Sequence, residues 1–384
     1  MRIPKREVRL GVIRQRYTAF GGAERFLERA IDALLERDVA VRIYTREWPA
    51  ARGGRLEPVI CNPIYVGRLW RDASFARAVR QALSRDRPEI VQSHDRIEGC
   101  DIFRAGDGVH RAWLEERTRK GGKLERISIS ANAYHRFVLD AEARLFESPK
   151  LKAVICISQM VAEDVRRYFS IDRGKLHVIY NAVDPDDFGP QVRANRPKTR
   201  ALLGLDGSHF AFLLVGSGYH RKGVPTAIRA LARLPNQVRL IVVGREKFMA
   251  RYRMLASKAG VGARVIFAGP QRDPRPFYGA ADAFVLPTLY DPLSNAVLEA
   301  LACGLPVVTS TRCGAGELVE RASAGWLCDS TDDATLAERM SRLLDPTECE
   351  RMSFRARSAV SHLTPQAMAA QMLTLYDNVL SVKQ

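Results

Sequence analysis

Phe210-Ala211-Phe212-Leu213-Leu214-Val215-Gly216-Ser217-Gly218-Tyr219-His220-Arg221-Lys222-Gly223 is the stretch that decides the fold. Its six leading apolar residues have the length of a strand buried on both faces. A glycine-rich turn follows, and Pro225 then falls where a helix tolerates proline, in its first turn. The chain opens in the same order. Val8-Arg9-Leu10-Gly11-Val12-Ile13 reads as a strand and Gly21-Gly22 as the turn. Residues 23–37 read as a helix with Phe26, Leu27, Ala30, Ile31, Leu34 and Leu35 on one apolar face. Further strands are expected at 39–44, 90–93, 101–105, 153–157, 177–180, 238–243, 265–268, 283–286 and 306–309. Short apolar runs alternating with amphipathic stretches mark βαβ units and parallel sheets.

The expectation is therefore an α/β chain of two Rossmann-like domains, residues 1–188 and 189–364, facing a central cleft. The polar connector Asp184-Pro185-Asp186-Asp187-Phe188-Gly189-Pro190 suits a linker. Residues 365–384 read as a tail helix with no strand after it, expected to cross back onto the first domain. Ligands of open α/β sheets lie beyond the carboxyl ends of the strands, so the cleft is the expected site.

Bulk composition narrows the function. The 384 residues are 46% hydrophobic and 27% charged, as in globular proteins. No apolar run approaches the roughly 18 residues of a membrane span, and the basic N-terminus is not followed by a leader-like apolar stretch. A cytosolic protein is expected. The seven cysteines include no Cys-x-x-Cys pair, so neither a zinc site nor a disulfide framework is expected. The net charge of +17 calls for an anionic partner: nucleic acid, membrane surface or phosphorylated substrate. No helix-turn-helix, zinc-finger or RNP pattern supports nucleic acid. Arg111 to Arg126, with Trp113, Leu114, Arg117, Arg119, Lys120 and Lys123, reads as a solvated loop, or as a segment that lies on an anionic membrane or meets a phosphorylated acceptor.

The chemistry is concentrated between Leu286 and Pro306. After a strand, Asp291 is placed to cap a helix with Pro292 at its first position, and Ser294 is a rival cap. Gly304 and Pro306 stop that helix. Its N-terminus would offer backbone N–H groups of Ser294, Asn295 and Ala296 to a diphosphate. Glu299 follows Asp291 by eight residues, about 12 Å along a helix. By spacing alone, the plainer interpretation is a capping aspartate and a surface glutamate. Gly216-Ser217-Gly218 does not complete a dinucleotide fingerprint, because residue 221 is arginine, and Gly244-Arg245-Glu246 gives no clean ribose-binding acid. Arg221 and Lys222 are instead two cations able to offset charge on a departing nucleotide. No nucleophile–base pair and no metal-binding cluster stands out.

Asp291-x7-Glu299 followed by Ala300-Leu301-Ala302-Cys303-Gly304-Leu305-Pro306-Val307-Val308 resembles the Glu-x7-Glu signature of family 4 retaining glycosyltransferases, which have the GT-B fold. The departure is Asp291, one methylene shorter than the family's glutamate. Arg221-Lys222-Gly223 resembles the family's basic pair, and Phe20-Gly21-Gly22-Ala23-Glu24-Arg25 its N-terminal Gly-Gly loop. His94 resembles a histidine that lies near the sugar, and Asp107 matches an Ala-x-Asp element of the lipopolysaccharide core glucosyltransferases. Asn181-Ala182-Val183-Asp184 resembles the interdomain linker, so the Asp184-Pro185-Asp186 spacing is taken as structural.

The resemblance implies donor-binding roles for Gly21, Gly22, Arg221, Lys222, Asp291, Ser294, Asn295, Ala296 and Glu299, and catalytic roles for Asp107, His94, Arg221 and Lys222. It also implies retention of anomeric configuration without metal or cofactor, a donor phosphate oxygen taking the acceptor proton. The implied reaction moves a hexose from a UDP-sugar to a lipopolysaccharide core or related glycan at the cytosolic membrane face. The other enzyme class with such a domain pair is the GT-B-type nucleotide-sugar epimerase, which needs no acceptor.

Overall fold

The computed structural model describes residues 9–16, 40–48, 56–119 and 123–381. The expected helix at 23–37 and the Gly21-Gly22 turn lie outside them. The chain divides into two compact units, Met1–Asn181 with Pro365–Gln384, and Ala182–Thr364. The division falls after Asn181 rather than after Phe188. The reason is local: the Val183 amide donates to the Leu363 carbonyl, and the Phe188 ring stands edge-on to Tyr278 at 5.6 Å, both partners in the second unit.

The first unit carries β1 (Arg9–Ile13), β2 (Ala40–Thr45), β3 (Leu56–Ile60), β4 (Ile90–Ser93), β5 (Ile102–Ala105), β6 (Ala153–Cys156) and β7 (Leu176–Val178). They form one sheet in the order β3-β2-β1-β4-β5-β6-β7, all parallel. The inner strands are apolar because both faces are covered: Leu10, Val12, Ile90, Val91, Ile102, Phe103, Val154 and Ile155 are all buried. β3 was not expected from sequence. Its Glu57 and Pro58 interrupt the apolar pattern, which the sheet tolerates because β3 is an edge strand. The tail helix Pro365–Ser381 belongs to this unit and packs beside β4, burying Met368, Met372, Leu375, Tyr376 and Val379.

The second unit carries β8 (Phe210–Val215), β9 (Val238–Val243), β10 (Val265–Gly269), β11 (Ala283–Leu286), β12 (Val307–Ser310) and β13 (Gly325–Cys328). Their order is β10-β9-β8-β11-β12-β13, again all parallel. β13 is the second unexpected strand and also an edge. In each sheet the chain runs outward from the first strand, then returns to its other side. That reversal leaves a crevice at the carboxyl ends, between β1 and β4 in one unit and between β8 and β11 in the other.

At the β8–β11 crevice the two turns are knit together. The Leu289 amide and the Thr288 hydroxyl both donate to the Arg221 carbonyl, at 2.8 and 2.9 Å. Gly223 makes this possible: its φ is +74°, and a Cβ there would meet the Pro287 carbonyl oxygen at 1.9 Å. Gly218 has a similar φ of +75° but open space around it. Gly223→Ala is expected to cost about 2–4 kcal/mol of stability and Gly218→Ala about 1 kcal/mol, compared by urea denaturation. Equal costs would show that contact with Pro287 does not govern the crossing.

Candidate active site

The β8–β11 crevice brings Arg221, Lys222 and Asp291 together. Lys222 Nζ lies 2.5 Å from Asp291 Oδ2, and the two residues are 9% and 6% exposed. Arg221 is more open, with its guanidinium 3.8 Å from the same carboxylate and donating to the Tyr290 carbonyl at 3.4 Å. The turn before them is braced from β9: Glu246 accepts from the Tyr219 amide at 2.9 Å, and the Tyr219 hydroxyl donates to the Gly244 carbonyl at 3.2 Å. Glu246, which offered no clean ribose contact in sequence, thus has a structural partner.

Asp291 is not a helix cap. The helix spans Asn295–Ala302, with Ser294 at the N-cap position, so the helix expected to begin at Asp291 starts later. The cause is backbone pairing. The Asp291 amide donates to the Arg312 carbonyl at 2.9 Å, and its carbonyl accepts from the Gly314 amide at 2.8 Å, forming a bridge with the turn after β12. Held there, Asp291 turns its carboxylate to Lys222. Ser294 does not cap the helix with its side chain either: its hydroxyl is buried and makes no hydrogen bond. A buried hydroxyl left so costs about 1–3 kcal/mol, which a ligand oxygen would recover. Asn295 and Ala296 occupy the first turn, half-buried. As expected from Gly304, the helix ends there, with the Gly304 φ at +75° and the Leu305 amide closing back to the Ala300 carbonyl at 2.9 Å.

Glu299 is buried rather than a surface acid. It accepts from the Tyr278 hydroxyl at 2.7 Å, and the fully buried Tyr278 ring is wedged between Phe188 and Phe284. Tyr278 escaped the sequence analysis because its signal, a tyrosine in a short helix before β11, is indistinguishable from a core aromatic.

In the first unit, His94 follows β4 and Asp107 follows β5, so both lie at the carboxyl edge of that sheet. His94 is buried, with Nε2 2.9 Å from the Gln92 amide nitrogen. Burial, reinforced by Arg104 and Arg14, holds its pKa well below the usual imidazole value. Asp107 is exposed, in the turn before Gly108. Arg104 was not anticipated. It sits buried in β5 with a guanidinium nitrogen 2.5 Å from Asn181 Oδ1, and burial lowers its pKa to about 9. Its signal was a lone arginine in the apolar run Ile102-Phe103-Arg104-Ala105. Gly21 and Gly22 lie outside the described residues.

Removing one partner of a buried ion pair strands the other. Asp291→Ala is expected to cost about 3–5 kcal/mol by urea denaturation. Adding Lys222→Met should cost less than the sum of the single changes, because the pair is removed as a unit. Additive losses would mean the two side chains do not depend on each other.

Comparison with known proteins bears on the family and the fold. Residues 20–187 match the Glycosyltransferase Family 4 model, and residues 195–359 match Glycosyl transferases group 1. The lipopolysaccharide glucosyltransferase WaaG of Escherichia coli K12 is 26% identical over 315 residues, covering 81% of this chain and 82% of that protein. The crystal structure of WaaG, a glycosyltransferase involved in lipopolysaccharide biosynthesis, aligns with a TM-score of 0.80 at 22% identity, over 94% of this chain and 98% of that one. Anabaena HepE in complex with UDP-glucose aligns with a TM-score of 0.72 at 18% identity, over 97% of this chain and 100% of that one. With two parallel Rossmann-like sheets, each switched at its first strand, and with each half matched by its own family model, the chain belongs to the GT-B glycosyltransferases of family 4.

Proposed function

We propose that this chain transfers a hexose from a UDP-sugar to a lipopolysaccharide core or related anionic glycan, with retention of configuration and without a metal. The observation that carries the proposal is the pair of cations Arg221 and Lys222 at the crevice, one locked on Asp291 and one open, in the same unit as an unpartnered Ser294 hydroxyl at a helix start. A nucleoside diphosphate matches that set, since its phosphates carry the charge and acceptor oxygens the site lacks. WaaG acts in lipopolysaccharide synthesis and HepE binds UDP-glucose on the same fold, which supports this donor and acceptor class.

The roles follow from the chemistry. As the glycosyl–phosphate bond breaks, negative charge grows on the departing UDP, and Arg221 and Lys222 stabilise it where they already stand. The acceptor hydroxyl attacks from the same face and gives its proton to a donor phosphate oxygen, so no protein nucleophile is required. Ser294, Asn295 and Ala296 hold the diphosphate from the helix start. Glu299 binds ribose hydroxyls, oriented by Tyr278. Asp291, shortened and tied to Lys222, positions that lysine as well as meeting the sugar. Gly21 and Gly22 complete the donor site by resemblance, and His94 and Asp107 orient the sugar or acceptor hydroxyl.

The acceptor also suggests peripheral contact with an anionic membrane at the cytosolic face. Among the described residues no helix is long and apolar enough to cross a membrane. Exposed large apolar side chains instead cluster between 60 and 70: Ile60, Ile64, Tyr65, Val66, Leu69 and Trp70, with Ile64 87% and Val66 75% exposed. Arg68 and Arg71 lie among them, and no acid occurs from Pro58 to Arg71. Buried Arg46 pins this loop, bonding Asn62 Oδ1 and the Pro63 carbonyl and stacking 4.5 Å from the Tyr65 ring centre. Apolar and aromatic side chains interleaved with arginine suit a headgroup interface. The segment beginning at Arg111 is a weaker match, because it buries Ala112 and Leu114 and sets Arg111 against Glu115.

Glu299→Gln and Arg221→Ala are expected to lower turnover at least about a hundredfold with unchanged circular dichroism. UDP-sugars should raise the melting temperature above GDP- and ADP-sugars, because a ligand that binds only the folded state stabilises it. Full turnover in Glu299→Gln would remove the site assignment. For the membrane contact, Ile64→Asp with Trp70→Ala should abolish co-sedimentation with phosphatidylglycerol vesicles while leaving transfer to a soluble, deacylated acceptor intact. Undiminished co-sedimentation would move the contact elsewhere.

A further inference from the structure

We propose that the tail helix sets the chemistry of His94: Tyr376, acting through Gln92, fixes the imidazole proton on Nδ1, so that His94 serves as a hydrogen-bond donor and not as a base. Tyr376 and Gln92 are then positioning residues for sugar transfer. The functional half of this inference rests on the reading of His94 as a group that touches the sugar or its acceptor; the tautomer itself does not.

The three side chains form a buried line. Tyr376 Oη lies 2.9 Å from Gln92 Oε1, and Gln92 Nε2 lies 2.9 Å from His94 Nε2. All three residues are buried. Such a line can run in two directions. In one, the tyrosine hydroxyl donates to the amide oxygen and the amide N–H donates to His94 Nε2, leaving the ring proton on Nδ1. In the other, His94 Nε2–H donates to a reversed amide, the amide donates to the tyrosine oxygen, and the hydroxyl proton must find another acceptor. Among the described residues Tyr376 has no hydrogen-bond partner besides Gln92. The reversed line would leave a buried hydroxyl proton unsatisfied.

Arg104 favours the same direction. Its guanidinium acts on the Tyr376 phenol and on His94 alike. A positive charge beside the phenol attracts the oxygen lone pairs and repels the hydroxyl proton, turning that proton toward Gln92. The same charge, with Arg14 after β1 and the burial of the ring, keeps the imidazole neutral. The ring therefore holds one proton. With Nε2 filled by the Gln92 amide, that proton is on Nδ1, which has no hydrogen-bond partner among the described residues. Nδ1–H can donate to a sugar oxygen. It cannot accept the acceptor's proton, which agrees with a mechanism where a donor phosphate oxygen takes it.

The line also explains why the chain's last helix returns to the first unit. Tyr376 is separated from Gln92 by 284 residues, yet its hydroxyl is what directs the amide. No residue of the first unit's own βαβ run supplies that contact among the described residues.

The test is nitrogen-15 NMR of the full chain labelled at histidine, with His94 assigned by its loss in His94→Gln. The Nδ1–H shift pattern is expected in the unmodified protein. Gln92→Glu should convert it to the Nε2–H or imidazolium pattern, because a carboxylate only accepts. Tyr376→Phe should give a mixture of tautomers and lower kcat about tenfold with donor KM unchanged. Circular dichroism confirms that each variant is folded, and Gln92→Glu carries the test if Tyr376→Phe does not fold. An Nε2–H pattern in the unmodified protein would overturn the tautomer assignment. An Nδ1–H pattern with full kcat in both variants would overturn the positioning role. Full activity in His94→Gln would instead remove the contact of His94 with substrate, leaving the tautomer assignment standing.

Discussion

The buried contact between Lys222 and Asp291 is the constraint around which the second unit is arranged. A lysine and an aspartate that are both more than nine-tenths buried need each other, since either alone would carry an unpaired charge out of water. To meet, they must stand on the two turns that flank the crevice, one after β8 and the other after β11. The surrounding choices follow from that. Gly223 lets the first turn press on Pro287, and Gly216 leaves room for the lysine stem, because a Cβ there would meet Lys222 Cε at 2.8 Å. The backbone bridge of Asp291 to Cys313 keeps the carboxylate from capping the helix. The lysine ammonium is thereby fixed by the fold itself, with its partner carboxylate held from the far side of the crevice.

The first unit solves a different problem. Its edge residue His94 is kept neutral by burial and by two arginines, and oriented by Gln92 and Tyr376. Arg104, itself buried, gives a guanidinium nitrogen to Asn181 at the last position of the unit. Charge near His94 is thus arranged to forbid protonation rather than to promote it. The two units use buried cations differently: one pairs a lysine with an aspartate, the other sets arginines where they hold an imidazole uncharged.

Most of the fold was legible because most strands are buried on both faces. Phe210–Val215, Val238–Val243, Ile90–Ser93 and Ala283–Leu286 coincide with the expected runs. The missed strands, β3 and β13, are both edges. An edge strand has one partner and less apolar surface to bury, so Pro58 and Gly325 can sit in them and erase the pattern. The helix after β11 was found, but its start was misplaced. Asp291 followed by proline is a good cap by local preference, and a backbone bridge from Arg312 and Gly314 overrode it.

Order along the chain was therefore enough to determine two Rossmann-like units, the glycine turn after β8, and the charged residues that gather at the β8–β11 crevice. Those features rest on local periodicity and on residue types that carry one kind of chemistry. Three things were decided only in three dimensions: that Asp291 pairs with Lys222, that Glu299 is buried against Tyr278, and that Tyr376 reaches Gln92. Each joins residues from 21 to 284 positions apart, across turns whose closure depends on packing rather than on local preference. Spacing could name Lys222, Asp291 and Glu299 as charged residues of interest. It could not say which would share a proton or a charge, because that depends on which strand ends the sheet order sets side by side.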